Sequence, residues 1–206
     1  EYLYKLYPNV VNQATTDDGF YPIHEAITST FHRTSPIAAV DIVRYLLGCD
    51  PNVKFQNFEG TVSLLHWVCK WVYVDSNIDA ALGIIKAIYD AHPESIRMED
   101  SAGYLPLHLQ CRIRSSNGDE TAVEIMKLLL EKYPESVRHA DNGGSLPIHL
   151  ALSSSKSPEF CRMLIDAYPG SERIGDVNGA LPLHWACLCN TVSTVEYLHK
   201  LYPDAI

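Results

Sequence analysis

The chain has 206 residues, of which 47% are apolar and 20% charged, so it carries enough apolar surface for a packed core and is not a disordered tail. Its 25 Asp and Glu outnumber 16 Lys and Arg, giving a formal net charge of -9 that argues against nucleic acid as a partner, because phosphate backbones attract cationic surfaces. No apolar run of about 18 residues is present, so we expect no membrane insertion.

The chain contains six cysteines, and their spacing indicates the compartment. They lie mostly within apolar helical patterns and lack the dense, paired spacing of a disulfide framework, which favours a reducing environment. We therefore expect an intracellular location, in the cytoplasm, the nucleus or the interior of an organelle. The cysteines are Cys49, Cys69, Cys111, Cys161, Cys187 and Cys189.

One short phrase recurs five times along the chain: a Gly, two apolar or small residues, Pro or its replacement, an aliphatic residue and His. The second copy has one extra residue and no Pro. The histidines are separated by 42, 42, 41 and 35 residues, a regularity that indicates internal repeats. The phrases begin at Gly19, Gly60, Gly103, Gly144 and Gly179, and they end at His24, His66, His108, His149 and His184.

Each phrase is followed by an amphipathic run that is typical of a second helix. Residues 126–134 and 163–169 show this run, closed in both cases by Tyr-Pro. Proline cannot continue a helix and biases the residue before it away from helical dihedrals, so we expect Tyr-Pro to stop the helix. A Pro within the first phrase is instead favourable at the first position of a helix. The sequence therefore predicts an all-α chain of short and long helices in alternation.

This layout resembles the ankyrin repeat family, whose Gly-x-Thr-Pro-Leu-His-x-Ala signature matches the five phrases over essentially the whole chain. The resemblance implies a solenoid of stacked helix-turn-helix units, with about five repeats and a partial one at the N-terminus. Residues 1–8 copy residues 196–203 at every position but one, so we expect the chain to begin inside a repeat and to be part of a longer protein. The expected units are a partial repeat 1–15 and the repeats 16–56, 57–99, 100–140, 141–175 and 176–206.

Two departures from the family pattern affect the structure. The Thr before Pro, whose hydroxyl commonly pairs with the motif His, is replaced in four copies, so those rings need other partners. The distance from motif His to closing Pro is 19 or 20 residues in the last two repeats but 26 or 27 in the first three. About seven residues are thus expected between the helices of the first three repeats, as in 115–120, where insertions often carry recognition. The replacing residues are Tyr21, Leu105, Leu146 and Leu181.

Three His-x-x-Cys pairs, beginning at His66, His108 and His184, raise the possibility of a zinc site. Successive repeats place such pairs about 10 Å apart, however, so four ligands would not converge. We therefore predict no metal, with each His bonded to backbone and each Cys acting as a small buried apolar residue.

No phosphate loop or nucleophile–base arrangement is present either, which predicts no catalytic residue and no cofactor. The turn residues Asp100, Asp141 and Asp176 are assigned to Asx-type turns.

The resemblance implies that a partner protein is bound by the turn tips and by positions four and five residues after each motif His. Aromatic residues and Arg dominate binding energy at interfaces. An alternative for Trp71 is packing beneath the connector 72–75, and Trp67 and Trp185 are expected in the core. The predicted partner-binding residues are Phe20, Lys70, Trp71, Tyr104, Arg112 and Ile113.

Three functions are compatible with these features. The first is a non-enzymatic protein-interaction module that binds through the concave face of the array. The second is a structural subunit of a permanent assembly, which would expose a larger apolar face. The third is a recognition appendage of an enzyme whose catalytic domain lies outside this sequence.

Overall fold

The computed structural model describes residues 11, 13–16, 19–32, 35–50, 63–70, 78–114 and 119–205. Within these ranges the chain forms ten α-helices and no strand. None of the described helices is both long and apolar enough to cross a membrane. The helices are α1 (Pro22–Thr28), α2 (Ile37–Cys49), α3 (Leu64–Lys70), α4 (Ile78–Ala91), α5 (Pro106–Arg112), α6 (Glu120–Lys132), α7 (Pro147–Ser153), α8 (Pro158–Ala167), α9 (Pro182–Cys189) and α10 (Val192–Leu201).

Short and long helices alternate and form two rows. The short inner helices α1, α3, α5, α7 and α9 pack against one another in succession, and each long outer helix packs on the inner helix before it. One continuous cluster of buried apolar side chains lies between the rows, from Ile23 to Leu198. This arrangement confirms the predicted all-α repeat solenoid.

The predicted starts and stops of the helices are confirmed. Pro occupies the first position of α1, α5, α7 and α9. Tyr133, Tyr168 and Tyr202 are the C-cap residues of α6, α8 and α10. In each case the following Pro leads into a single turn of 3-10 helix rather than an extended exit.

The extra length of the first three repeats is divided between connector and helix. α2, α4 and α6 contain 13, 14 and 13 residues, whereas α8 and α10 contain 10 each. Three or four of the extra residues therefore lengthen the outer helix, and the expectation that all of them lie between the helices was wrong. At the start of α6, Thr121 and Ala122 are buried, which explains why this additional turn is helical. Residues 115–118, where recognition was expected, lie outside the described part.

The motif glycines allow the turn tips to stack. Gly103 and Gly144 have φ of 78° and 69°, in the left-handed region that favours glycine. A Cβ at Gly103 would also lie 2.6 Å from Oδ1 of Asn142 in the next repeat, so no side chain fits there. The N–H of Asn142 donates to the carbonyl oxygen of Ala102 at 3.1 Å, and the next tip repeats this bond. The motif glycine of the second phrase, Gly60, lies outside the described residues.

Arginine and tyrosine side chains from adjacent repeats form a ladder beside the outer helices. Each Arg belongs to the segment that follows a closing Pro, and its guanidinium carbon lies 4.7 Å from the centre of the Tyr ring in the next repeat. Cation–π contacts of this kind stabilise the interface between units. The pairs are Arg97 with Tyr133, Arg138 with Tyr168 and Arg173 with Tyr202.

A buried ion pair joins the third and fourth of the helix pairs. Nζ of Lys156 lies 3.1 Å from Oδ1 of Asp119, and the Lys156 side chain is only 1% exposed. The second oxygen of Asp119 accepts the backbone N–H of Ser157. The residue before α6 is thereby fixed to the connector that precedes α8.

Candidate binding groove

The motif histidines His66, His108 and His149 are structural, because both nitrogens of each ring are hydrogen-bonded. Nδ1 of His108 accepts the N–H of Leu105 at 3.1 Å, and its Nε2 donates to the carbonyl oxygen of His139 at 3.1 Å. His149 makes the equivalent bonds to Leu146 and Ile174, both at 3.0 Å. The prediction that these rings bond to backbone between neighbouring units is confirmed.

Backbone replaces the missing Thr hydroxyl in four repeats. The N–H groups of Tyr21, Leu105, Leu146 and Leu181 donate to the histidine three residues later. In the remaining repeat Ser63 stands in the Thr position, and its Oγ lies 2.7 Å from Nδ1 of His66. The hydroxyl–His pair of the family pattern is therefore retained in one copy.

Burial keeps His24, His66, His108 and His149 neutral. Desolvation lowers the pKa of His24 and of His108 to about 4, against a smaller opposing effect of their hydrogen bonds. The pKa values of His66 and His149 are lowered for the same reason. A neutral ring with one donor and one acceptor is the state that the bonding pattern requires.

The His-x-x-Cys pairs do not share one environment. Cys69 and Cys111 are fully buried, and burial raises the pKa of both thiols. Cys187 is exposed, so the expectation of a buried Cys was wrong for the last pair. The difference arises because His184 and Cys187 face no further helix pair in the described part of the chain. Across the described ranges, no three His, Cys, Asp or Glu side chains are grouped as metal ligands.

The turn aspartates form the predicted Asx turns. Oδ1 of Asp141 accepts the N–H groups of Gly143 and Ser145, both at 2.8 Å. Asp100 and Asp176 bond to their own turns in the same way. These carboxylates shape the tips and fix their position beside the inner helices.

A depression of about 370 Å³ lies between these tips and the inner helices α7 and α9. We call it the inner groove. Tyr104 lies at one side of it and Trp185 at the other, with Asp141, Asn142 and Ser153 among the residues between them. The turn tips of three successive repeats and the inner helices of the last two contribute to its lining.

The structure brings together two of the predicted binding residues. Tyr104 lines the inner groove, and the exposed Arg112 guanidinium stacks on its ring at 4.7 Å from the centre. Ile113, the C-cap residue of α5, follows Arg112 directly and is half-buried. These three residues therefore form one continuous surface beside the groove.

The other predicted binding residues are more distant along the inner row. Lys70 is exposed at the end of α3. The Phe20 ring packs edge-on against Trp67, with the ring centres 5.0 Å apart, and Trp67 is buried as expected. Trp71 lies outside the described residues.

Three side chains near the groove were not among the predicted partner-binding residues. Trp185 was expected in the core but is half-buried, and its Nε1 donates to Oδ2 of Asp176 at 3.3 Å. Val177 and Leu188 are 71% and 73% exposed. Leu188 stands four residues after His184, one of the positions at which partner binding was expected. For Val177 the sequence offered no indication except that an apolar residue stands in a polar turn.

Family models support the same classification. A model of three ankyrin repeats matches residues 115–205, and a model of a single ankyrin repeat matches residues 18–55. Together they span more than half of the chain, which therefore belongs to the ankyrin repeat family. The region between the two matches contains α3, α4 and α5, which continue the same two rows of helices.

No curated protein matches the chain. Ankyrin repeats are in general protein–protein interaction modules, and the proteins that contain them are typically non-enzymatic.

Proposed function

We propose that the chain is a non-enzymatic module that binds a partner protein through the inner helices and turn tips. One contrast supports this proposal. The residue before each motif His is aliphatic and buried in all five repeats. The residue four positions after each motif His is partly or fully exposed and differs in every repeat. Core packing explains the first set, and recognition explains the second. The varied set is Thr28, Lys70, Arg112, Ser153 and Leu188.

The proposed centre of the interface is the stacked pair Tyr104 and Arg112, with Ile113 beside it. Aromatic and Arg side chains are frequent hot spots, and a ring already fixed by a stacked guanidinium loses little conformational freedom on binding. Phe20, Lys70 and Trp71 extend the proposed interface toward the earlier repeats. We retain 16–56, 57–99, 100–140, 141–175 and 176–206 as the proposed repeats of one array.

Affinity capture from the native cell extract tests this function. The intact chain is compared with a Tyr104→Ala, Arg112→Ala variant. The matched control is Arg138→Ala, Tyr168→Ala, which removes a cation–π pair of the same 4.7 Å geometry from the outer helices. Circular dichroism establishes that both variants are folded.

We expect a partner that the intact chain and the control retain and that the groove variant loses. Equal capture by all three proteins would place the interface elsewhere. Capture of no protein by the intact chain would contradict the proposed function.

A further inference from the structure

The charges in the inner groove indicate the chemistry of the partner. Among the described residues that line the groove, two carry carboxylates, Asp141 and Asp176, and none is Lys or Arg. The exposed Arg112 lies outside the lining and stacks on the Tyr104 ring. The groove therefore has an acidic interior bounded at one end by a cation.

The two carboxylates differ in how many of their oxygens accept hydrogen bonds within the described part of the chain. Both accept two turn N–H groups through Oδ1, but Oδ2 of Asp176 also accepts Trp185 Nε1 at 3.3 Å. In the preceding repeat the position of Trp185 is taken by Leu150, which has no donor. The hydrogen bonds found for Asp141 within the described chain all go to Oδ1, and its side chain is partly exposed. Oδ2 of Asp141 is thus available to a donor from a partner.

The aromatic sides of the groove also suit a cation. The Tyr104 ring already accepts the Arg112 guanidinium at 4.7 Å, and Trp185 presents a half-buried indole at the opposite side. Guanidinium and ammonium groups bind the faces of such rings. The formal net charge of -9 further attracts a basic partner during encounter.

We propose that the inner groove binds an extended, Arg- or Lys-rich segment of a partner protein, with one cationic side chain paired to Asp141 between Tyr104 and Trp185. Asn142 and Ser153, which also line the groove, can hydrogen-bond to the backbone of such a segment. The inference rests on the proposed protein-binding function and specifies the charge of the ligand.

Fluorescence anisotropy with three labelled peptides tests the inference. The peptides alternate Gly with Arg, with Gln or with Glu, and they are titrated with the whole chain at low and at physiological salt. We expect the Arg peptide to bind at least about tenfold more tightly than the Gln peptide and the Glu peptide to bind least, with affinity falling as salt rises.

Two variants that each lose one negative charge distinguish binding in the groove from attraction to the net charge of the chain. Asp141→Asn keeps the Oδ1 acceptor that the Asx turn requires, and the sequence of an earlier repeat has Asn57 at the corresponding position. We expect Asp141→Asn to weaken the binding of the Arg peptide by about three- to tenfold. Asp41→Asn makes the same change of net charge on the exposed side of α2 and should alter affinity less than about twofold.

Equal weakening by Asp141→Asn and Asp41→Asn would overturn the inference, since it would show attraction to net charge alone. Equal binding of the Arg and Glu peptides, or binding of neither, would overturn it as well. If capture identifies a partner that depends on Tyr104 and Arg112 but contacts them through a segment without Arg or Lys, the protein-binding function stands and the proposed charge of the ligand is wrong.

Discussion

Nε2 of His108 donates a hydrogen bond to the carbonyl oxygen of His139, 31 residues farther along the chain. Nδ1 of the same ring accepts the N–H of Leu105, which precedes the helix that carries it. The ring is completely buried. A single side chain therefore completes the start of its own inner helix and connects that helix to the segment that follows the next outer helix.

Replacing His108 by Ala should destabilise the fold strongly. The change leaves the Leu105 N–H and the His139 carbonyl without their partner in a buried site and creates a cavity, which together cost about 2–4 kcal/mol. Urea unfolding at pH 7 measures the loss. His184→Ala is the control, because that ring is exposed and, among the described residues, hydrogen-bonds to Leu181 alone, so its loss should cost about 1 kcal/mol or less. Equal losses in both variants would contradict the role assigned to the buried ring.

The free energy of unfolding should fall as the pH is lowered from about 6.5 to about 4. Folded His24 and His108 have pKa values near 4, so below pH 6.5 the unfolded rings bind protons that the folded rings do not. Each ring then contributes a loss of up to roughly 3 kcal/mol across this interval. The urea midpoint between pH 7 and pH 4.5 measures the change, and His108→Gln should reduce its slope. A constant midpoint from pH 7 to pH 5 would refute this prediction.

The Arg–Tyr ladder should couple neighbouring repeats measurably. In a double-mutant cycle of Arg138→Gln and Tyr168→Leu, we expect a coupling of about 0.5–1 kcal/mol, the range for a cation–π contact at an exposed site. Tyr168→Phe should preserve most of it. Arg138 also lies 3.4 Å from the Glu135 carboxylate, so Glu135→Gln serves as the control. If Glu135→Gln removes as much stability as Tyr168→Leu, the ion pair rather than the stacking is responsible.

The two side chains of the buried ion pair should be energetically coupled. Lys156→Met leaves the Asp119 carboxylate largely buried without its cation, a change that costs about 3 kcal/mol or more. With Asp119→Asn added, the double variant should be more stable than the sum of the two single changes predicts, as measured by chemical unfolding. Additive losses would show that the two side chains contribute independently.

The repeat pattern and the helix boundaries could be predicted from sequence because they depend on local chemistry. Gly at the turn, Pro at the first helical position and Pro after Tyr each restrict the backbone of their own segment. The histidine bonds followed from the same periodicity. Tyr104 and Arg112 were also predicted, since both occupy fixed offsets from His108.

The missed features depend on contacts across repeats. Asp119 and Lys156 are 37 residues apart and neither lies in a repeated motif, so no spacing rule connects them. The bond from Trp185 to Asp176 explains why that half-buried ring packs against the core and also lines the groove, and it requires the folded turn to exist. The sequence did not predict the helical turn added to α6, because the Ser-Ser-Asn-Gly sequence just before it is typical of a loop.

The extensive helix contacts in the described chain connect only elements of the same repeat or of adjacent repeats. A stretching force along the array is therefore resisted by one interface at a time, not by the whole core at once. With His-to-His spacings of 35 to 42 residues, each repeat that detaches would release about 120–150 Å of chain. Under such a force the array would therefore lengthen in discrete steps.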